Sequence, residues 1–379
     1  MLIQIHMLQN YAPSNLNRDD TGSPKDAIFG GSRRGRISSQ CLKRSIRKSS
    51  VFAEAFAKED LLGYRTRLLP DLIDAELKRM GIDDQTRKVI LAPLPEIGRE
   101  SGKVRAIEGD GEEKEGAESQ VETATKQLIF LGRDEVRPLA EKLLALYQEQ
   151  GPKKWAKLKI SEITKSLGSN LPRSVDIAMF GRMTTSELFE NVKAAVQVAH
   201  ALSTNALTQE FDYYTAVDDL SGESGAGMIG DVEFNSSTYY KYLNVCWEDL
   251  VSNLGDDKEL ARRAVSALVE AAAVAQPSGK QNSFAANNLP DLVLVEVSQK
   301  NLPVSYANAF LKPARASGDQ SLIDVSVQKL ADYMEKVSKS YGLENQRAFI
   351  AVQDYTLPAA AHQESLSDLQ KWLEAQLPG

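Results

Sequence analysis

The chain has 379 residues, 42% hydrophobic and 26% charged, with a formal charge of −7. That length allows two or three packed units, and the balance of apolar and charged residues excludes a wholly disordered polymer. No run of about 18 apolar residues occurs and the start has neither a basic leader nor a small-residue cleavage site, so no membrane span or signal peptide is expected. Cys41 and Cys246 are far apart and form no CxxC pair, which fits a reducing cytoplasm and gives no disulfide or zinc framework.

In chain order, residues 2–8 place Ile3, Ile5 and Met7 on one side at period two with His6 on the other, the pattern of a strand. A polar loop is expected over 10–39. Over 40–49, Leu42 and Ile46 lie four apart and face inward. The pairs Lys43/Arg47 and Arg44/Lys48 repeat that spacing, giving a short helix with a cationic flank. Ser38 or Ser39 caps its N-terminus, where free N–H groups and the helix dipole favour an anion.

Residues 52–170 are rich in Ala, Leu, Glu, Lys and Arg, and read as a mostly helical insertion with helical patterns at 71–80, 125–130 and 136–148. Within it, 108–118 combines glycine with acidic charge and reads as an exposed loop. Over 194–203 the alanines suit a helix while Val196, Val198, His200 and Leu202 alternate as in a strand, and the strand is the preferred reading. Between Lys193 and Lys241 there is no cation. Over 203–240 Glu210, Asp212, Asp218, Asp219, Glu223, Asp231 and Glu233 sit among Gly222, Gly225, Gly227 and Gly230, the composition of a hairpin-like excursion. A strand over 231–247, a helix over 258–275, a strand over 292–297 and a helix over 321–341 follow. Strands and helices thus return at both ends around a helical insertion, an α+β pattern with a split sheet and no internal repeat.

Charge is unevenly spread. Residues 21–50 hold Lys25, Arg33, Arg34, Arg36, Lys43, Arg44, Arg47 and Lys48 against the single Asp26, so this segment is strongly basic while the rest of the chain is acidic. Several guanidinium groups followed by a capped cationic helix suit successive phosphates, which one small substrate would not require; the segment reads as a site for a strand of nucleic acid, with a solvated or partner-facing basic face as the plainer alternative. Tyr11 offers a stacking surface. Gly30–Gly31 permits close backbone approach to a phosphate, or is a bare loop.

Catalytic chemistry is sparse. His6, His200 and His362 have no HxxxH or cysteine partner and read as strand or surface histidines, and neither a GxxxxGK[ST] loop nor a GxSxG elbow occurs. Asp19–Asp20 is either a turn-forming pair or a weak divalent-metal or base candidate.

Several blocks closely resemble the CasC (Cse-type) backbone subunit of type I-E CRISPR Cascade: NLNRDD at 15–20, KDAIFGG at 25–31, RRGRISSQCLKRSIRKS at 33–49, VDIAMFGRMTTS at 175–186, AHALSTN at 199–205, DYYTAVDDL at 212–220, PSGKQNSFAA at 277–286 and LPVSYANAF at 302–310. They occur in the family's order; 52–170 and the tail beyond about 320 carry little of the resemblance. The resemblance implies a hand-shaped α+β subunit: a modified ferredoxin-like, RNA-recognition-motif palm (1–51, 184–202 and 238–379), a helical fingers insertion (52–183) and a thumb hairpin (203–237). It implies a non-enzymatic scaffold without cofactor or metal. Copies stack head to tail along a CRISPR RNA beside the large, small and guide-end-capping subunits, and meet target DNA through the guide heteroduplex.

By that resemblance Arg18, Lys25, Arg33, Arg34, Arg36, Ser38, Gln40, Lys43, Arg44, Arg47 and Lys48 lie in or beside the guide-backbone site. Arg182 and Met183 in the GRM turn, with Met228 or Ile229, form the wedge region; Tyr214, Thr215 and Val217 flank a displaced base; Lys280 and Gln281 are further contacts. Ser32 stands where the family often has a basic residue, and Tyr213–Tyr214 where it has aromatic thumb residues. Because the thumb lacks cations, its contribution to RNA geometry is expected from wedging and stacking, and its acids are expected to face cations of the adjacent copy. Two rival readings stand beside this one: a metal-dependent endoribonuclease of the same superfamily using Asp19 or Asp20, and a general single-strand RNA-binding module.

Overall fold

The alternation at the start of the chain produces β1 (Leu2–Ser14), a strand longer than the periodicity marks and buried on both faces through Gln9. The computed structural model describes residues 1–97, 124–125, 127–167, 173–184, 189–217 and 226–378. The acidic loop expected at 108–118 and the excursion tip with Asp218, Asp219 and Glu223 lie outside the described residues.

After β1 come β2 (Asp26–Phe29), β3 (Ser32–Ile37), α1 (Ser39–Arg47), α2 (Ser50–Phe56), β4 (Gly63–Thr66), α3 (Leu69–Arg79), α4 (Asp84–Leu91), β5 (Ile129–Gly132), α5 (Arg133–Trp155), α6 (Ile160–Leu167) and α7 (Val175–Phe180). Then follow β6 (Val196–Val198), β7 (Ala201–Ser203), β8 (Glu210–Val217), β9 (Ala226–Cys246), α8 (Trp247–Asn253), α9 (Lys258–Val274), α10 (Gln281–Phe284), β10 (Leu292–Ser298), α11 (Leu322–Tyr341), β11 (Gln346–Ala351), β12 (Ala361–His362) and α12 (Leu366–Gln376). The chain divides into two units. One is Met1–Phe52 with Val196–Trp247 and Arg262–Gly379; the other is Ala53–Ala195 with Glu248–Ala261.

The first unit is built on one ten-stranded mixed sheet in the order β12-β11-β10-β1-β9-β7-β3-β2, with β6 and β8 also paired to β9. β1 is central. It pairs antiparallel with β10 and with β9, Ile5 standing opposite Val295 on one side and Leu243 on the other. The side of β1 that carries His6 is therefore not a solvent face: Leu8, Tyr240, Tyr242, Leu292 and Leu294 pack there beneath Val327, Leu330 and Met334 of α11. A smaller cluster of Tyr11, Leu16, Ile37, Leu42, Ala201, Tyr239 and Ala286 forms with α1, so Leu42 fixes the basic helix to the sheet as its spacing predicts.

The expectation of a continuous polar loop over 10–39 is corrected. Tyr11 pairs with Ser237 and Ser14 with Asn235, extending β1. β2 and β3 form a hairpin closed by Gly30 and Gly31, whose φ values of 58° and 74° suit a two-residue turn of the kind that matches strand twist. Residues 194–203 form the short strands β6 and β7, and β11, β12 and α12 extend the unit where no element was expected.

In the second unit, Leu69, Ile73 and Leu77 of α3 meet Ile90, Leu139, Leu143, Trp155 and Ile163 in one core, and the Trp155 indole N–H donates to the Val89 carbonyl at 2.9 Å. The helical pattern read at 125–130 is corrected: Ile129 and Phe130 begin β5, which pairs with β4, Thr66 opposite Ile129. Four consecutive buried residues satisfy a strand through pairing that no local period reveals.

The sheet interior holds a charged network. Glu296 of β10 lies 3.3 Å from His6 Nε2, accepts from the Tyr306 hydroxyl at 3.0 Å and pairs with the Arg347 guanidinium, all at buried positions. Burial alone pushes this carboxyl up, but His6 and Arg347 together bring it down to about 2. Its stabilisation is therefore fully present above the ordinary carboxylate range near 4.5 and is lost as the pH falls toward 2. Glu296→Gln, which leaves Arg347 buried without its counter-charge, is expected to cost ~3–5 kcal/mol in urea denaturation at pH 7. The gap from the parent protein should narrow between pH 4.5 and 2 as the native carboxylate protonates.

Candidate nucleic-acid interface

The basic segment is organised around the start of α1. Ser38 is the N-cap, its hydroxyl accepting from the Cys41 N–H at 3.3 Å, which decides between the two capping serines. Asn17 joins this cap to the preceding loop: its side-chain oxygen accepts from the Ser38 N–H at 2.9 Å, and its carbonyl accepts from the Lys25 N–H at 2.8 Å. Lys25 and Arg36 then line one crevice with Asn17, Pro24, Asn235 and Tyr239. The Arg36 guanidinium donates to the Asp26 carbonyl at 2.9 Å and lies 3.4 Å from His200 Nδ1. Partial burial and then Arg36 hold the His200 imidazole below its ordinary pKa, so it is a neutral acceptor at pH 7 beside the Ser39 N–H.

The cations that read alike in sequence separate in space. Arg18, Arg33, Arg44 and Lys48 are exposed, as is Gln40; Lys25, Arg36 and Lys43 are half-buried and Arg47 is buried. Arg33 pairs with Asp26 and donates to Gln209 at 2.9 Å. Arg34 behaves differently. It is 0% exposed, and its guanidinium donates to the carbonyls of Ser203 and Thr204, each at 2.9 Å, and of Phe310 at 2.6 Å. This is a brace between β3, β7 and the 310 turn, and it leaves no guanidinium surface for the expected phosphate contact. Gly30 has a related role: a side chain there would strike the Leu311 carbonyl, so the close approach the glycine permits is to the protein's own backbone.

The hairpin of β8 and β9 is an exposed two-stranded ribbon. Residues paired across it share a face, which puts Phe211, Tyr213, Thr215 and Ile229 on one side and Tyr214, Ala216 and Met228 on the other. Met228 and Ile229 thus point in opposite directions. Phe211, Tyr213, Tyr214, Thr215, Met228 and Ile229 are all exposed. The Tyr214 ring lies across Gly230, where any Cβ would collide with it. Val217 ends β8 opposite Ala226. At the ribbon's base Phe234 packs on Phe284 with ring centroids 5.6 Å apart. Lys280 and Gln281 lie in the adjoining turn, where Gln281 donates to Pro277 and Ala286 carbonyls at 3.0 and 3.3 Å.

Arg182 and Met183 belong to the second unit. Arg182 is buried and pairs with Glu135 at 2.6 Å while donating to the Glu190 carbonyl at 2.9 Å, so it too is a brace. Met183, directly after it, is 95% exposed. Burial raises the Glu135 carboxyl despite this arginine.

Asp19 is engaged locally. Its carboxylate accepts from the Thr21 hydroxyl and N–H and from the Ser23 N–H at 2.8–3.0 Å, and these bonds, the hydroxyl first, lower its pKa. Among the described residues no three His, Cys, Asp or Glu side chains gather as a metal site, and no helix is long and apolar enough to cross a membrane.

The fold is thus a mixed α+β protein built on one large sheet, with a basic strand-turn-helix segment at its β2–β3 side and an exposed ribbon continuing its longest strand. The chain belongs to the CT1975-like protein family, which matches residues 3–375. It is similar to a chain of a structure described as a CRISPR RNA-guided surveillance complex, pre-nicking, at 32% identity and a TM-score of 0.78, covering 99% of this chain and 100% of that one. A second chain, from a CRISPR RNA-guided surveillance complex, is 25% identical with a TM-score of 0.62 and 99% coverage of both. No curated protein matches the sequence.

Sequence reasoning did not find Asn17, His200 as a neighbour of the cap, or Lys241 beneath the helix; only pairing across the sheet brings them there. Arg34→Ala should lower stability by ~2–4 kcal/mol in chemical denaturation, since several buried carbonyls lose their donor. Arg33→Ala should leave the midpoint unchanged.

Proposed function

We propose that this chain is a non-enzymatic, CRISPR RNA-binding backbone subunit of a type I-E Cascade surveillance complex. On this reading it stacks in several copies along the guide and shapes it for pairing with target DNA, beside the complex's other subunits. The observation that carries the reading is the full-length similarity to chains of CRISPR RNA-guided surveillance complexes, on a protein whose basic segment leaves Arg33, Arg44 and Lys48 exposed. The sheet unit is read as the ferredoxin-like palm, the second unit as the fingers and the β8–β9 ribbon as the thumb.

Within this reading phosphate affinity belongs to Arg18, Lys25, Arg33, Arg36, Arg44 and Lys48, with Ser38 and Gln40 at the helix start. The ribbon contributes apolar contact: either Met228 or Ile229 can act as a wedge on its own face, and Tyr214, held over Gly230, supplies a stacking plane worth ~1–3 kcal/mol per base. Met183 is an exposed apolar side chain suited to a kink. Base specificity then resides in guide–target pairing, because contacts to phosphate position a strand without reading it.

Coexpression with a CRISPR array and partner subunits should yield a high-mass particle with a protected guide that stays intact in Mg²⁺. A nucleic-acid-free monomer would overturn the reading, and regular RNA cuts abolished by Asp19→Ala or Asp20→Ala would replace it with a nuclease. Arg33→Ala and Arg44→Ala should each weaken RNA binding uniformly across guide sequences. Each should also reduce the slope of log K against log salt by about 0.7.

A further inference from the structure

Beneath α1 lies a cation with no visible use. Lys241 is in the second half of β9, opposite Met7 of β1, and is only 2% exposed. Its Nζ has no hydrogen-bond partner among the described residues and lies 5.6 Å from the centroid of the Tyr11 ring. An ammonium removed from water with no hydrogen bond and only an aromatic ring beside it is costly, and a methionine would fill such a place without that cost.

The groups around it are neutral or cationic. From β1 come Met7, Gln9 and Tyr11; β9 itself adds Tyr239. Burial pushes both phenols up, so neither supplies a negative charge near neutrality. The Tyr11 hydroxyl donates to Gln276 at 2.6 Å and the Tyr239 hydroxyl to Asn235 at 3.2 Å, so both are committed elsewhere. From α1 comes Cys41, whose thiol burial also raises; Cys41 is in turn within electrostatic reach of Lys25, Arg44 and Lys241. Burial lowers the Lys241 ammonium to about 7, and Cys41 opposes this only in part. Among the described residues no carboxylate acts on it.

Lys241 therefore stands on the sheet side of a helix whose outer side carries Arg44 and Lys48, in a place where its charge responds to what covers that helix. We propose that Lys241 takes up a proton when a phosphate chain is laid across α1, so that guide binding switches on a second, buried layer of positive charge. This rests on the guide-binding reading above and adds a linked equilibrium to it. One phosphate about 10 Å away, one helix diameter, acting through an effective dielectric near 20, shifts a protonation equilibrium roughly tenfold. By linkage the proton must strengthen RNA binding by the same factor.

The test is the affinity of the full-length chain for single-stranded oligouridylate from about pH 6.5 to 9.5 at fixed salt, a window in which Lys241 passes from mostly protonated to neutral; the His200 imidazole, held below its ordinary pKa, is present in wild type and Lys241→Met alike, so the difference between the two reports Lys241. The wild type should lose roughly tenfold in affinity across the window. Lys241→Met should bind as the wild type does at the alkaline end and show no such loss. The second readout needs no variant: the ¹³Cε resonance of Lys241 should titrate about one pH unit higher with RNA bound than free. A wild-type affinity flat in pH, the same slope in Lys241→Met, or an unmoved ¹³Cε midpoint overturns the inference and leaves guide binding standing. Failure of the wild type to bind oligouridylate at any pH overturns the guide-binding reading and this inference together.

Discussion

The whole arrangement depends on the continuity of one strand. β9 runs from Ala226 to Cys246; among the described residues its first half pairs with β8 alone and its second half is enclosed between β1 and the short strands β6 and β7. The hydrogen-bond ladder of the sheet therefore sets the register of the ribbon, and with it which side chains share a face. A one-residue slip would exchange Tyr213 for Tyr214 and Met228 for Ile229. The Glu296 network, the α11 layer and the Tyr239 contact with α1 all depend on the same register, so the exposed apolar ribbon takes its geometry from the most deeply buried part of the chain.

Charged side chains divide by what their surroundings can satisfy. Arg34 and Arg182 enter the interior because carbonyls and a carboxylate meet their N–H groups; Glu296 enters because His6 and Arg347 meet it from two sides. Arg44 and Lys48 remain in water, where their charge is free to act at range, and Arg33, also exposed, is paired with Asp26. Lys241 fits neither class, being buried against the Tyr11 ring with no hydrogen-bond partner among the described residues. Hydrogen-bond satisfaction, more than net charge, thus separates cations that brace the fold from those that can meet a ligand.

Glycine makes the same division. Gly30 admits the Leu311 carbonyl and Gly230 admits the Tyr214 ring, so one glycine seats the hairpin and the other sets the attitude of an exposed aromatic. The first was legible as a close-approach position, though the group that approaches is the protein's own backbone. The second stood in a glycine series that read only as part of a hairpin-like excursion.

Much of the frame was legible in the residues alone. The strand at Ile3, Ile5 and Met7, the α1 stripe of Leu42 and Ile46, a serine cap at 38 or 39, the helices at 136–148 and 321–341 and the hairpin after residue 203 all follow from local period, capping chemistry and turn composition, which act within a few residues of chain. The tertiary structure decided what depends on partners distant in sequence. β5 became a strand because β4 was there to pair with it, and the 10–39 segment folded because β7 and β9 offered an edge. Arg34 left the surface because the 203–204 and 310–311 carbonyls converged on it. Lys241 came to lie under α1 through pairing with Met7. Such placements arise from burial and hydrogen-bond completion across hundreds of residues, and no local pattern encodes them.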